Sequence, residues 1–522
     1  MPSPLAARAV TTRALLAGLA LVPTLGACAA RATGTPAPAA TPAPLSPVAA
    51  LRVAVDSLVQ DTMFANARWG VLIVRPGTGD TLYARDADRL FMPASNQKLL
   101  TGSTAIATLG PDYRWRTAYV AHGPVRAGVL EGDLAVVGRG DPTISDRMRT
   151  DAMQPLLAVA DSLAARGIRR IAGRVIADGD AFPDEAHGYG WSWDDLDSPY
   201  SAGVDELFFN EGFGRIVVRA GARPGDSVTV QVTPAADALP LRVDVRTVTP
   251  GIASGRTATR VRARWDAREA RHVLEGVVSV NDSAVLTLAQ RDANGAFLGA
   301  LRTALRTRGI TIGGAEPRVS KEPVAPVGDT LFVTQSLPLR EVMPAFEKPS
   351  QNQIGELLLK TMGLEKTGVG TADSGRRAME RQLATWGVAA ERDVVIRDGS
   401  GLSRHDYVTP RALVRVLDAM RRDPSFRLFY DALPIAGVDG TIRSRMKGTP
   451  AEGNVHAKTG TLDKARSLSG YVTTADGEML LFSFLCNNYT VPTAQVDRVA
   501  DALAARLASL RLGGARTAAG AP

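Results

Sequence analysis

Cysteine is scarce: the 522-residue chain has two, Cys28 and Cys486. With one of them in the leader, no intrachain disulfide framework is expected. Histidine is nearly as rare, at five residues (122, 187, 272, 405 and 456) with no ligand spacing such as H-E-x-x-H. We therefore expect no metal and no cofactor, and structural or surface roles for these histidines. There is no dense Lys/Arg run and no recognisable nucleic-acid motif, although the formal net charge is +8. The excess arginine is scattered, which suits general contact with anionic polymers or membrane surfaces rather than nucleic acid. Long apolar runs are missing too. The longest near the N-terminus, 14–22, is too short to span a bilayer comfortably.

That short run is informative in itself. Arg8 and Arg13 precede it, and Pro23 and small residues follow, the layout of a secretory signal. Leu25-Gly26-Ala27-Cys28 resembles a bacterial lipobox, with Cys28 as the lipid-modified residue. An ordinary signal peptide with an incidental cysteine is the alternative. Residues 29–48 are rich in Ala and Pro and read as an extended tether. The expectation is an exported envelope protein held at a membrane by an N-terminal lipid. Cys486 sits in an apolar strand-like run and reads as a small buried hydrophobe.

With 45% hydrophobic and 22% charged residues the rest is ordinary globular protein, long enough for two to four domains. A helix is expected over 49–62, then a hairpin from 70–75 and 81–84 across a Pro-Gly-Thr-Gly-Asp turn. Another helix is expected over 93–109, with Pro93 in its first turn. Residues 118–335 change texture, with many short β-like runs and one amphipathic helix near 152–167. From 336 helices return (339–346, 352–362, 375–386, 410–421), followed by strands 468–472 and 479–486 and a helix over 493–510. A hairpin near the start and strands near the end suit one sheet built from both ends of the chain. We expect 49–117 and 336–512 to form one α/β (α+β) domain, 118–335 to be β-rich inserted material and 513–522 to be a disordered tail.

Three short motifs carry the chemistry. In Ser95-Asn96-Gln97-Lys98, helical i to i+3 spacing puts hydroxyl and amine on one face. A serine needs a base to become a nucleophile, and a lysine serves once burial or nearby positive charge lowers its pKa. The second is Ser350-Gln351-Asn352: a hydroxyl that can relay a proton, and an amide that can hold a substrate amide at both ends. The third, Lys458-Thr459-Gly460-Thr461, offers charge and hydroxyl to a carboxylate, a glycine for close backbone approach and an N–H for an oxyanion. Singly, these motifs fit a solvated helix face, a helix cap and a surface turn. Together and in this order they are the signature of β-lactamases and penicillin-binding proteins.

Over about 49–512 the chain resembles the low-molecular-mass class C penicillin-binding proteins, the S13 peptidases of penicillin-binding protein 4 type. Carrying the resemblance further are Gly140-Asp141-Pro142-Thr143, 190–195 (GWSWDD), 398–404 (DGSGLSR) and Val438-Asp439-Gly440-Thr441. So do the roughly 250 residues separating Lys98 from Ser350. The resemblance implies a β-lactamase/transpeptidase-like serine peptidase domain split by two β-rich inserted domains. It implies D-alanyl-D-alanine carboxypeptidase and endopeptidase activity on peptidoglycan stem peptides, with β-lactams as covalent inhibitors. Ser95 would be acylated with Lys98 as its base, while Ser350 and Lys458 move protons and Asn352 binds the substrate amide. Thr459 and Lys458 would meet the terminal carboxylate, and the N–H groups of Ser95 and Thr461 would form the oxyanion hole. Asp195 and Arg404 resemble positions that contact the stem-peptide side chain. Two alternatives are a β-lactamase or esterase, whose class C members have tyrosine where this chain has Ser350, and a non-catalytic wall-binding lipoprotein.

Overall fold

The structure, a computed structural model, describes residues 45–177, 181–249, 252–253, 256–314 and 328–513. The lipobox with Cys28, most of the tether and nearly all of the C-terminal tail lie outside the described residues. Among the described residues no helix is long and apolar enough to cross a membrane.

Helix α1 (Pro47–Val59) begins where Ser46 caps the Ala49 N–H and proline takes the first helical position. Leu51, Val55 and Val59 recur every four residues and are its buried face. Strands β1 (Arg68–Arg75) and β2 (Asp80–Arg85) form the expected hairpin. Three strands from the far end complete the sheet: β3 (His456–Leu462), β4 (Ala465–Thr473) and β5 (Met479–Asn487). The order is β2-β1-β5-β4-β3, antiparallel throughout, so both ends of the chain build one sheet.

Both faces of the sheet are covered, and the period-two alternation of β-strands sorts the side chains between them. Leu72, Leu481 and Leu485 face α2 (Gln97–Leu109), α3 (Leu339–Glu347), α4 (Asn352–Thr367), α5 (Ala372–Thr385) and α6 (Pro410–Arg422). Val71, Ile73, Leu480, Phe482, Phe484 and Cys486 face α1 and α7 (Thr493–Ala508). Cys486 is fully buried, and burial raises its thiol pKa far above the ordinary value.

Between α2 and α3 the chain forms further sheets. Asp329–Gln335, Arg116–His122, Asp133–Val137 and Val175–Ala177 make a four-stranded one, and two three-stranded sheets lie within 213–289. Two helices accompany them, Gln154–Ala165 and Ala293–Thr307, where one was expected. Their apolar faces share a core with Leu134, Val136 and Leu207. A further helix unforeseen in the sequence, Phe426–Ala432, follows α6.

The segment that will matter most, Met92–Asn96, is anchored to the sheet by side chains. Asn487 on β5 accepts from the Met92 N–H at 2.8 Å and donates to the Met92 carbonyl at 3.2 Å. Ser467 on β4 donates to the Pro93 carbonyl at 2.7 Å. Replacing Asn487 by alanine strands both Met92 groups. We expect a loss of about 1–3 kcal/mol, read as a lower thermal midpoint together with slower reaction at Ser95.

Candidate active site

Ser95 lies in a 3-10 turn, Ala94–Asn96, that runs straight into α2. Ala94 enters it at φ +47, a left-handed conformation that an L-residue holds only under pressure from its surroundings. Two elements crowd this turn, the loop 398–404, where a Cβ on Gly401 would stand 1.9 Å from the Ala94 carbonyl oxygen, and β3. A side chain at Gly460 would put its Cβ 2.1 Å from Ser467 Oγ, 2.5 Å from the Pro93 carbonyl and 2.9 Å from Ser95 N. Glycine was expected here so that a substrate backbone could approach. What approaches is the protein's own Pro93–Ser95 backbone, and Asn96 ties the same pair by donating to the Lys458 carbonyl at 2.8 Å.

One turn on, Lys98 is fully buried. Its Nζ donates to Ser95 Oγ at 3.0 Å, Asn352 Oδ1 at 2.7 Å and the Ser400 carbonyl at 2.6 Å. The Asn352 amide group, in turn, donates to the Tyr200 carbonyl at 2.7 Å, which fixes which end of that side chain faces the lysine. Asn352 Oδ1 and the Ser400 carbonyl can only accept. A neutral amine therefore gives them its two N–H groups and turns its lone pair to the Ser95 hydroxyl. Burial lowers the Lys98 pKa from 10.5 to about 8, against the opposing pull of Asp398, Glu347, Glu356 and Asp406. At pH 8 a lysine in water would be ~0.3% neutral, and here about half would be. The difference is on the order of 3 kcal/mol between the two protonation states.

Lys458, also fully buried, donates to Ser350 Oγ at 2.8 Å and to the Thr459 carbonyl at 3.0 Å. Its pKa is lowered to about 7, first by burial and then by the positive charge of Lys98. Ser350 sits in the turn between α3 and α4 at φ +64. Gln351, not Ser350, is the cap of α4, its side chain accepting from the Gln353 N–H at 2.7 Å. All three motifs thus meet at one place, the mouth of a cleft of about 760 Å³ lined by Ser95, Ser350, Asn352, Thr459 and Thr461.

Asp195 and Arg404 line the same cleft. Arg404 donates to the Asp463 carbonyl at 3.1 Å, joining the Gly-rich loop to the turn after β3. Asp195 accepts from the Tyr200 hydroxyl at 2.5 Å, while neighbouring Asp194, also on the cleft wall, has no partner among the described residues. Thr459 shares a 2.7 Å hydrogen bond with Thr441 of the Val438–Thr441 motif, and the Thr461 hydroxyl accepts from Arg466. Among the described residues no group of three or more His, Cys, Asp or Glu side chains could hold a metal ion.

Residues 51–510 match the D-Ala-D-Ala carboxypeptidase 3 (S13) family. The chain belongs to this family. It is 34% identical over 479 residues to a D-alanyl-D-alanine carboxypeptidase of Actinomadura sp. (strain R39), covering 88% of this chain and 84% of that one. It is 28% identical over 410 residues to the D-alanyl-D-alanine carboxypeptidase DacB of Haemophilus influenzae, covering 76% and 81%. The crystal structure of penicillin binding protein 4 from Haemophilus influenzae has the same fold, with a TM-score of 0.74 at 24% identity over 87% of this chain and 99% of that one.

Several contributors to the site of this S13 member were not visible as such in the sequence. Asp398 organises the Gly-rich loop: its carboxylate accepts from the N–H groups of Ser400, Gly401 and Ser403 at 3.1, 2.6 and 2.7 Å. It also accepts from Trp191 Nε1 at 2.9 Å. That cradle aims the Ser400 carbonyl at Lys98. The run 398–403, DGSGLS, was quotable from sequence, but a backbone carbonyl acting on a lysine leaves no signature. Gly460→Ala is the sharpest probe of the packing. It should push β3 from Ser95 and slow acylation roughly 100-fold, measured with a labelled penicillin, and lower the thermal midpoint by the equivalent of the about 1–3 kcal/mol that overpacking costs.

Proposed function

We propose that this S13-family protein is a penicillin-sensitive serine D-alanyl-D-alanine carboxypeptidase and endopeptidase, hydrolysing peptidoglycan stem peptides through an acyl-enzyme on Ser95. The observation that carries this reading is the 3.0 Å contact between Ser95 Oγ and the Nζ of a lysine with no exposure to water.

In the proposed reaction, neutral Lys98 takes the Ser95 proton as Oγ attacks the carbonyl carbon of the penultimate D-alanine. The N–H groups of Ser95 and Thr461 hold the oxyanion that forms. Protonated Lys458 supplies a proton through Ser350 Oγ to the departing amine, and the C–N bond breaks. Thr459 and Lys458 receive the terminal carboxylate. Water then gives a proton to the now neutral Lys458, by way of Ser350 Oγ, and attacks the ester; as the ester C–O bond breaks, Lys98 returns its proton to Ser95 Oγ, the shortened peptide leaves and both lysines regain their starting states. Asn352 is proposed to meet the substrate amide; since both its ends are already bonded, to Lys98 and to the Tyr200 carbonyl, a substrate must share or displace those bonds. Arg404 and Asp195, with Asp194, are proposed to read the stem-peptide side chain.

The same proposal covers the organisation and address of the chain. Residues 49–117 with 336–512 act as the catalytic body and 118–335 as inserted domains. Export and anchoring through Cys28 place the enzyme on the cell envelope, within reach of its substrate. A β-lactamase or esterase is not favoured, because Ser350 stands where class C members have tyrosine and a long insertion separates Lys98 from Ser350, and a non-catalytic binding protein is not favoured, because all three motifs are present and converge.

Mass spectrometry after penicillin treatment tests the reading. We expect one adduct, on Ser95, persisting for minutes or longer, and none in Ser95→Ala. Rapid cephalosporin turnover without an adduct would contradict it. Because Lys98 must be neutral while Lys458 is protonated, the acylation rate should rise with pH through about 7 and fall again above about 8. Lys98→Met should abolish that rise and slow acylation by 100-fold or more, on the order of what a general base contributes.

A further inference from the structure

Glu347 is the last residue of α3 and is fully buried. Neither carboxylate oxygen receives a hydrogen bond from a protein group, although the great majority of buried polar side chains are bonded. Its Oε1 lies 2.7 Å from where a Cβ on Gly102 would stand, with Met343 Cε and the Phe346 ring at 2.9 and 3.4 Å from that point. Gly102 is four residues beyond Lys98 on α2, hence on the same helix face. The carboxyl therefore fills the space along α2 that a side chain at 102 would occupy. Its own backbone carbonyl accepts the Ser350 N–H at 3.2 Å, in the turn that presents Ser350 to Lys458.

The charged groups facing it are Lys98 from α2 and Lys458 from β3. Lys98 also faces Asp398, Glu356 and Asp406, whereas Lys458 faces Lys98 and Glu347. Burial raises the Glu347 pKa against the pull of Lys458 and Lys98, to about 7. A carboxyl with no hydrogen bonds, set among apolar side chains, gives the fold little that a methionine would not.

We propose that Glu347 is a positioning residue for the reaction, a buried counter-charge that lets one of the two lysines stay protonated while the other is neutral. The proposal rests on the reading of Ser95, Lys98 and Lys458 given above. The chemistry needs an amine on Lys98 to take a proton and an ammonium on Lys458 to give one. Without the Glu347 charge, Lys458 loses the one acid that faces it among the described residues and Lys98 keeps only Asp398, Glu356 and Asp406, so burial takes the protons from the pair at lower pH. Removing a negative charge lowers both lysine pKa values, so both limbs of the pH–rate profile should move towards acid.

The test is the second-order rate of acylation by a labelled penicillin, measured across pH. In Glu347→Gln both limbs should shift down by about one pH unit, while Glu347→Asp, which keeps the charge, should stay near wild type. Gly102→Ala touches no reacting atom but forces the carboxyl aside, and should shift the profile the same way by less. A Glu347→Gln profile lowered at every pH but unshifted would overturn the proposal. Should that variant fail to fold, judged by circular dichroism, an unshifted Gly102→Ala profile would do so. Wild-type protein that acquires no adduct on Ser95 would instead sink the functional reading itself.

Discussion

Everything at the site depends on keeping water away from two amines. Lys98 and Lys458 are long, strongly hydrated side chains in a position where neither is exposed. Taking an ammonium out of water is costly unless it is paired, and no carboxylate bonds directly to either one. Their partners are hydroxyls, an amide oxygen and backbone carbonyls. Such partners hold an amine without holding its proton. This is the difference between a lysine that stabilises a structure and one able to take a proton from serine.

The surrounding fold can be understood as what that desolvation requires. β3 must lie against the Ser95 turn closely enough to exclude solvent, hence Gly460 and the left-handed Ala94. α4 must approach the loop that carries the Ser400 carbonyl, and it does so with glycine against glycine: a Cβ on Gly399 would stand 2.1 Å from the Gly355 carbonyl. Material from the segment between α2 and α3 closes the remaining side. Trp191 bonds to Asp398 and the Tyr200 carbonyl to Asn352, so the long insertion helps to set the geometry of Lys98 besides lining the cleft. The cluster of buried acids around the lysines (Glu347, Glu356, Asp406) has raised pKa values for the same reason that the lysine values are lowered.

The sequence was legible where local physics is strong. Ser95 and Lys98 are three residues apart, a spacing that puts hydroxyl and amine within reach on one face, and it took all three motifs together to point to chemistry. The hairpin at β1 and β2, and the alternation along β5, showed in the same way. Helix Ala293–Thr307 was absorbed into a β-like texture although Phe297, Leu301 and Leu305 recur at helical intervals, because short apolar runs on either side masked the change of period. Gly460 was read as making room for a ligand, since nothing in a sequence says that the neighbouring backbone belongs to the protein itself. The Ser400 carbonyl, the Tyr200 carbonyl and Glu347 act through position rather than through a pattern of residue types, and an acidic residue ending a helix reads from sequence as solvated.

The fold strips Lys98 and Lys458 of their ordinary basicity. The most direct measurement of this is an NMR titration of the lysine side chains in 13C,15N-lysine-labelled protein, with the two signals assigned by Lys98→Met and Lys458→Met. Two amines should titrate near 8 and 7, well below the 10.5 of an ordinary lysine. Finding both at 10 or above in the folded enzyme would contradict this.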